Sequence, residues 1–120
     1  MKQNFVTING VNYPIVFDLQ ALTNFEEITK QGFFEANLNT TNNRIAIVIG
    51  AAISADKNTA LTVEEMRGKE TFEDYKQIVE AYNVVMTLAN DFFKIPEVEK
   101  EKENEEKTDE GEGEDEKPKN

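Results

Sequence analysis

The stretch RIAIVIGAAISAD, residues 44–56, is the most apolar part of the chain and decides the fold. Its isoleucines and valine are typical of a buried β-strand, whereas its small residues favour a tightly packed helix. The small residues are Ala46, Gly50, Ala51, Ala52 and Ala55. We predict a central helix in which Gly50 allows a neighbouring element to approach closely. The stretch is too short to cross a bilayer.

Upstream, the segment QNFVTINGVNYPIVFD, residues 3–18, predicts a β-hairpin. Asn9 and Gly10 favour a type I′ turn, because both central positions of that turn need a positive φ. Apolar residues partly alternate on both sides of the turn. Pro14 cannot donate a ladder hydrogen bond, so its strand is expected at an edge. Since a lone hairpin is marginal in water, it must pack on helices or pair with another copy.

The next segment, FDLQALTNFEEITKQGFFE, residues 17–35, predicts the first helix. Asp18 is a good N-cap, and Gly32 is expected to stop the helix near Lys30. A short helical turn and a polar loop should follow. One apolar stripe recurs with helical spacing and is predicted to pack on the hairpin; it consists of Leu19, Leu22, Phe25 and Ile28.

Two capping-box patterns predict two further helices. The sequence TVEE at residues 62–65 opens a short helix that should end at Gly68, and TFED at residues 71–74 opens a long helix to about Lys94. Pro96 then closes the fold. The expected architecture is α+β: an N-terminal β-hairpin followed by a small bundle of about four helices, within residues 1–95.

The C-terminal segment, residues 96–120, has a different composition. It holds 12 acidic and 5 basic side chains, a net charge of −7, and Val98 is its one clearly apolar residue. Such a segment cannot offset its own chain entropy, so we predict a disordered acidic tail. Residues 1–95 hold every aromatic residue and, with 8 basic and 12 acidic groups, a net charge of −4.

Composition argues against several classes of function. The chain has no cysteine and no histidine, which removes disulfides, thiolate metal sites and the usual nucleophile–base pairs. A net charge of −11 argues against nucleic acid as a partner. No signal-like or membrane-spanning apolar run is present, so we expect a soluble intracellular protein without a membrane partner. No glycine-rich phosphate loop occurs, and no cofactor is expected.

The acidic residues offer two candidate sites, and both are better explained as surface or capping groups. Glu26 and Glu27 lie about 100° apart on a helix, so they diverge and cannot easily flank one reacting bond. The sequence DKNTALTVEE, residues 56–65, has oxygen ligands but lacks the glycine and the alternation of a calcium loop. We therefore predict no catalytic residue and no metal site, and we do not expect an enzyme.

Two adjacent aromatic pairs are the candidate partner-binding residues: Phe33 with Phe34, and Phe92 with Phe93. In each pair one ring can point away from the core, and an exposed aromatic ring on a soluble protein often marks a partner site. The alternative is that at least one ring of each pair packs in the core or against the hairpin.

The order of these elements, together with their apolar positions, also resembles the sequence pattern of a known protein family. In TINGVNYPIVFDLQALTNFEEITKQGFFE, residues 7–35, a hairpin around a glycine precedes a helix of the form Φ-x-F-x-L-x-A-L-x-x-Φ-E-E (Φ, apolar), then a glycine and an apolar-acidic turn. The Ala-rich IVIGAAISAD, the segment ALTVEEM and a long closing helix follow. This pattern, over residues 5–94, resembles the tail assembly chaperones of long-tailed bacteriophages and gene transfer agents. The matching residues at its start are Ile15, Phe17, Leu19, Ala21, Leu22, Phe25, Glu26, Glu27, Gly32, Phe33, Phe34 and Glu35.

The resemblance implies a non-enzymatic role in the cytoplasm of a bacterial host. Such chaperones bind the long tape-measure protein, keep it soluble and help the tail-tube protein polymerise around it; they are absent from the mature virion. Many have a longer, frameshifted form, for which an acidic C-terminal segment would suit a hinge. Several copies, or a homo-oligomer, could hold a helical client through many weak contacts.

The sequence is also compatible with two other functions. One is a structural virion protein of the tail tube or the head–tail joining region, since a hairpin can pair between copies. The other is an acidic decoy that mimics DNA, which ranks lower because the charge is concentrated in the tail and not patterned over a rigid surface.

Overall fold

The computed structural model describes residues 4–94 as an antiparallel β-hairpin followed by four α-helices. A short 3₁₀ turn, Phe33–Glu35, lies between the first two helices. The strands are β1 (Asn4–Ile8) and β2 (Val11–Ile15), and the helices are α1 (Leu19–Thr29), α2 (Thr41–Ala55), α3 (Val63–Arg67) and α4 (Phe72–Phe93). The predicted α+β class and the predicted helix within residues 44–56 are confirmed. The predicted disordered tail, residues 96–120, lies outside the described residues.

The hairpin turns at Asn9 and Gly10, whose φ angles of 53° and 80° satisfy the predicted turn. Ile8 faces Val11 next to the turn, and the paired register runs on to Asn4 with Ile15. One face is buried: β1 packs on α4 and β2 packs on α2. Its inward residues are Val6, Ile8, Tyr13 and Ile15. The hairpin is therefore stabilised by helices of its own chain.

The tip of the hairpin is tied to α3 and α4 by hydrogen bonds. The Asn9 backbone N–H donates to Gln77 Oε1 at 2.7 Å, and Gln77 Nε2 donates to Asn9 Oδ1 at 3.3 Å. Asn9 Nδ2 also donates to the carbonyl and carboxylate oxygens of Glu65, both at 3.2 Å. These bonds fix the hairpin relative to the closing helix.

The centre of the domain is α2, whose residues 45–52 are all buried. It contacts α1, α3, α4 and β2, and its Ala51 carbonyl accepts a hydrogen bond from the Val16 N–H at 3.2 Å. A helix surrounded in this way is apolar on all sides, which explains its strand-like composition. A Cβ on Gly50 would lie 3.0 Å from the Ala21 carbonyl oxygen and 3.2 Å from the Phe25 nitrogen. Gly50 therefore allows the predicted close approach, and the neighbour is α1.

The predicted packing of α1 on the hairpin is wrong. Leu19 is 70 % exposed and Ile28 is 40 % exposed, and α1 packs on α2 instead. The buried residues of α1 are Ala21, Asn24 and Phe25. Because the two helix backbones approach so closely at Gly50, small side chains are favoured at the contact. The Asn24 amide also donates to the Gly50 carbonyl at 3.0 Å, which satisfies a buried polar group.

The predicted N-caps are confirmed. Asp18, Thr62 and Thr71 each accept a hydrogen bond from a backbone N–H in the first turn of α1, α3 and α4. Thr71 and Asp74 form the full reciprocal capping box.

The predicted end of α1 near Lys30 is confirmed, but the prediction that Gly32 supplies the stop is wrong. Lys30 ends the helix in the left-handed region, with φ 61°, and its N–H donates to the Glu26 carbonyl at 2.8 Å. Gly32 has φ −64° and ψ 143°, an extended conformation that precedes the 3₁₀ turn. A single non-glycine residue tolerates the left-handed region when the helix end is satisfied in this way.

Candidate protein-binding surface

Five phenylalanine rings meet where α4 ends. We call this cluster the aromatic end; its members are Phe17, Phe33, Phe34, Phe92 and Phe93. Phe17 follows β2, the next two form the 3₁₀ turn, and the last two close α4. The fold thus brings all four candidate partner-binding residues together in one place.

Phe93 lies in the middle of the aromatic end. Its ring centroid is 5.8 Å from that of Phe17, 5.7 Å from that of Phe33 and 5.3 Å from that of Phe34. Phe92 lies 5.5 Å from Phe17, and Phe33 lies 5.5 Å from the fully buried Phe25. Most of these pairs are edge-to-face, an arrangement favoured by the ring quadrupoles. The cluster is therefore continuous with the core.

The five rings differ in solvent exposure and fall into a buried and an exposed group. Phe17 and Phe33 are buried, at 7 % and 6 % exposed, whereas Phe34 is 81 %, Phe92 41 % and Phe93 36 % exposed. In the pair of Phe33 with Phe34, the first ring is thus buried and the second is exposed. In the second pair both rings keep exposed area while they pack against Phe17 at the exit of the hairpin. Phe33 is buried and packs against Phe34 and Phe93. The other three candidate residues, Phe34, Phe92 and Phe93, are exposed enough to contact a partner directly.

A hydrogen bond from the 3₁₀ turn to α1 holds Phe33 and Phe34 in place. Glu26 Oε2 accepts from the Phe33 N–H at 3.1 Å, and the Glu35 N–H donates to the Gly32 carbonyl at 3.0 Å. Glu26 and Glu27 are both exposed, as the sequence predicted for a solvated helix face. The sequence did not predict that Glu26 would also position the aromatic turn.

Phe17 belongs to the aromatic end, but the sequence did not identify it as a candidate residue of this cluster. It continues the inward alternation of Tyr13 and Ile15, all three being buried, so the period of two residues was the available signal. That period places Phe17 on the inner side of the hairpin, but it does not reveal that the last turn of α4 lies opposite.

Three carboxylates adjoin members of the aromatic end. Glu26 binds its turn, Glu35 follows Phe34 in sequence, and Asp91 precedes Phe92. The ion pairs described within residues 4–94 are Arg67–Glu70 at 3.1 Å and Lys76–Glu73 at 3.9 Å, and neither involves these three carboxylates.

The other candidate regions have structural explanations. Asp18 lines an open groove of about 870 Å³. Its Oδ1 accepts from the Ala21 N–H at 3.0 Å and from Ser54 Oγ at 2.5 Å, so it serves as a helix cap. Within residues 4–94, no three Asp or Glu side chains are grouped so that they could hold a metal ion. Among the same residues, no helix is both long and apolar enough to cross a membrane.

No protein-family model, no curated protein and no solved structure matches this chain.

Proposed function

We propose that the protein is a bacteriophage tail assembly chaperone, which binds the tape-measure protein and assists tail-tube assembly without catalysing a reaction. The observation that carries the proposal is the aromatic end. Three exposed rings pack against two buried rings, so the apolar surface is formed in the absence of a partner. Preformed aromatic surfaces of this kind are typical of protein-binding sites.

An exposed, apolar cluster of rings is suited to a helical client. An amphipathic helix presents apolar side chains at positions i, i+3, i+4 and i+7, and rings such as those of Phe34 and Phe93 can pack against them. One copy would hold such a helix weakly, but many copies along a long client would act together. Covering the apolar stripe of the client in this way would keep it from aggregating.

The sequence resemblance supports the same function. The elements of residues 5–94 follow the order of the resembling pattern: a hairpin, a helix, a glycine with an apolar-acidic turn, an Ala-rich helix, a short helix and a long closing helix. Phe33 and Phe34, which belong to the resembling pattern, lie in the aromatic end.

Co-expression with the tape-measure protein tests the proposal. The wild-type chain should keep that protein soluble and co-purify with it, and Phe34→Ser should abolish both effects. The matched control is Phe72→Ser, which removes a ring that is 69 % exposed at the opposite end of α4 and should have no effect. Equal solubilisation of the client by wild type and Phe34→Ser would contradict the proposed surface. Failure of the wild type to bind the client would contradict the function.

A structural virion protein of the tail tube or head–tail joint is the second candidate, and the hairpin is the observation in its favour. Within residues 4–94, β1 and β2 pair only with each other, so the outer edges of both could pair with strands of another copy. Mass spectrometry of purified particles separates the two functions. Abundant protein in the virion would favour a structural role, whereas its absence from virions and presence in infected cells would favour the chaperone.

A further inference from the structure

We infer that Asn9–Gly10 is a site of spontaneous deamidation through a succinimide, and that hydrogen bonds of Asn9 to Glu65 and Gln77 slow this reaction in the folded chain. The inference does not depend on the proposed function. It is carried by the turn at the tip of the hairpin, where an exposed asparagine precedes a glycine and its side-chain amide is bound to α3 and α4.

The reaction needs only the groups of the turn and water. The Gly10 backbone nitrogen attacks Cγ of the Asn9 side chain, and the new Cγ–N bond closes a cyclic imide. The Cγ–Nδ2 bond breaks, and ammonia leaves with the proton of the Gly10 N–H. Water then opens the imide at one of its two carbonyl carbons. One opening gives aspartate at position 9, and the other gives isoaspartate, in which the main chain runs through the former side-chain carbonyl.

The sequence and the exposure of the turn single out Asn9. It is the only asparagine of the chain that is followed by glycine, which has no side chain to shield the attacking nitrogen. Apart from the chain neighbours of Gly10, no atom of residues 4–94 lies within 4 Å of the place where a Cβ on Gly10 would stand. Asn12 lies on the same hairpin and is also exposed, but it precedes Tyr13, whose bulky side chain hinders the same attack.

The folded turn opposes the reaction because it holds the Asn9 amide. Nδ2, the leaving group, donates to the carbonyl and to a carboxylate oxygen of Glu65, both at 3.2 Å. Oδ1 accepts from Gln77 Nε2 at 3.3 Å, and the Asn9 N–H donates to Gln77 Oε1 at 2.7 Å. For Cγ to meet the Gly10 nitrogen, the amide has to rotate away from these partners. The reaction therefore proceeds from a locally opened tip, and its rate follows the population of that opening.

Conversion keeps the tip open, because neither product fits the same partners. Aspartate at position 9 places a carboxylate where Asn9 Nδ2 donates to Glu65 Oε2, so a hydrogen bond becomes a contact between two like charges. Isoaspartate adds a methylene group to the main chain of the two-residue turn and disturbs the register that begins with Ile8 and Val11. The turn is thus a one-way switch from an attached to a detached hairpin tip.

Peptide mapping by mass spectrometry tests the site in the full-length chain, incubated in mildly alkaline buffer. Asn9 should slowly exchange its amide NH₂ for OH, and Asn12 should stay unchanged. The same chain unfolded in urea should react at Asn9 at least about tenfold faster, since the hydrogen bonds to Glu65 and Gln77 are absent. No conversion of Asn9 in the unfolded chain, or equal rates in the folded and unfolded chains, would overturn the inference.

Gln77→Ala tests the control by hydrogen bonds. It removes both bonds that α4 makes to Asn9 and should raise the rate of conversion in the folded chain about fivefold or more. Asn83→Ala, on the exposed face of α4, is the matched control and should keep the wild-type rate. Circular dichroism checks that both variants are folded. If folded Gln77→Ala reacts no faster than Asn83→Ala, the bonds to α4 do not control the reaction and the inference is wrong.

Asn9→Asp reproduces one product and tests the detachment of the tip. Aspartate tolerates the φ of 53°, so the change reports on the side chain and not on the turn. The melting temperature should fall by about 4 °C or more, and by less than half as much in a chain that also carries Glu65→Gln, whose neutral amide does not repel the new carboxylate. An equal fall in both backgrounds would show that repulsion by Glu65 does not detach the tip.

Discussion

At the scale of single residues, Asp74 shows how one exposed carboxylate organises the start of α4. Its Oδ2 accepts hydrogen bonds from the Lys69 N–H at 3.0 Å, the Thr71 N–H at 3.1 Å and Thr71 Oγ1 at 2.8 Å. The hydrogen bond from the Thr71 backbone is the main reason that the pKa of Asp74 is lowered below its ordinary value. The charged form of Asp74 therefore stabilises the folded state.

Replacing Asp74 by Asn should lower the melting temperature by a few degrees at neutral pH. Because the pKa is lowered on folding, the contribution of Asp74 is fully present above its ordinary pKa of 3.8 and is lost as the pH falls through the lower folded-state pKa. The melting temperatures of wild type and variant should thus differ by a constant amount from pH 5 to pH 8 and converge below about pH 3.8. Thermal scans by circular dichroism measure this, with Glu73→Gln as the control in the same turn. A difference that grows on acidification would contradict the prediction.

The sequence was sufficient to predict helix caps and the hairpin turn. It was not sufficient to decide which of two nearby residues ends a helix. The Thr71–Asp74 capping box and the Asn9–Gly10 turn involve residues within a few positions of each other, so their residue types are sufficient to predict them. The end of α1 differs, because Lys30 and Gly32 are both compatible with a stop nearby. The Phe33 N–H donates to Glu26, and this contact from the following turn accompanies the left-handed C-cap at Lys30.

At the scale of elements, the contact of α1 with α2 depends on Gly50. An alanine Cβ there would lie 3.0 Å from the Ala21 carbonyl oxygen and 3.2 Å from the Phe25 nitrogen, both of them backbone atoms that side-chain rotation cannot move. Gly50→Ala should therefore force the helices apart and destabilise the domain by about 1–3 kcal/mol, although Gly→Ala is favourable at an exposed helix position. Urea denaturation measures the change.

The control for Gly50→Ala is Asn83→Ala, on the exposed face of α4. It should leave stability unchanged or raise it by a few tenths of a kcal/mol through helix propensity alone. If Gly50→Ala were equally neutral, the helices would not pack as closely as the structure shows.

The attachment of the hairpin tip gives a second prediction for the elements. Asn9→Ala should destabilise the domain by about 1–2 kcal/mol, because alanine disfavours φ 53° and cannot replace the side-chain hydrogen bonds to Glu65 and Gln77. Asn9→Gly tolerates the turn and keeps the backbone donor, so it should cost less. Chemical denaturation of both variants compares the two effects. A smaller loss for Ala than for Gly would show that the turn geometry is not what Asn9 supplies.

The sequence predicted where the elements lie better than it predicted which faces they bury. Leu19 and Ile28 fit an apolar helical stripe, yet both are exposed, since the small residue Ala21 and the polar Asn24 fit the close contact with α2. Helical periodicity is a property of one segment, whereas the buried face depends on the shape of its neighbour.

At the scale of the whole molecule, the aromatic end is a product of tertiary structure. The sequence identified Phe33, Phe34, Phe92 and Phe93 as two separate pairs, and the pairs are nearly 60 residues apart. Their contact through Phe93 depends on the path of α4 back to the 3₁₀ turn, which no local pattern encodes. The sequence could therefore suggest the candidate residues but not the surface that they form.

Removing residues 96–120 should leave the domain folded, because the described core runs from Val6 to Ala89 and lies wholly within the rest of the chain. The shortened chain should melt within about 2 °C of the full-length protein at high salt, with the same dependence on urea. At low salt it should melt slightly higher, since the segment, with 12 acidic and 5 basic groups, is repelled by a domain that is itself negative. Differential scanning calorimetry at two salt concentrations measures both effects. A loss of more than about 5 °C on truncation would show that the segment contributes to the packed core, and would contradict this prediction.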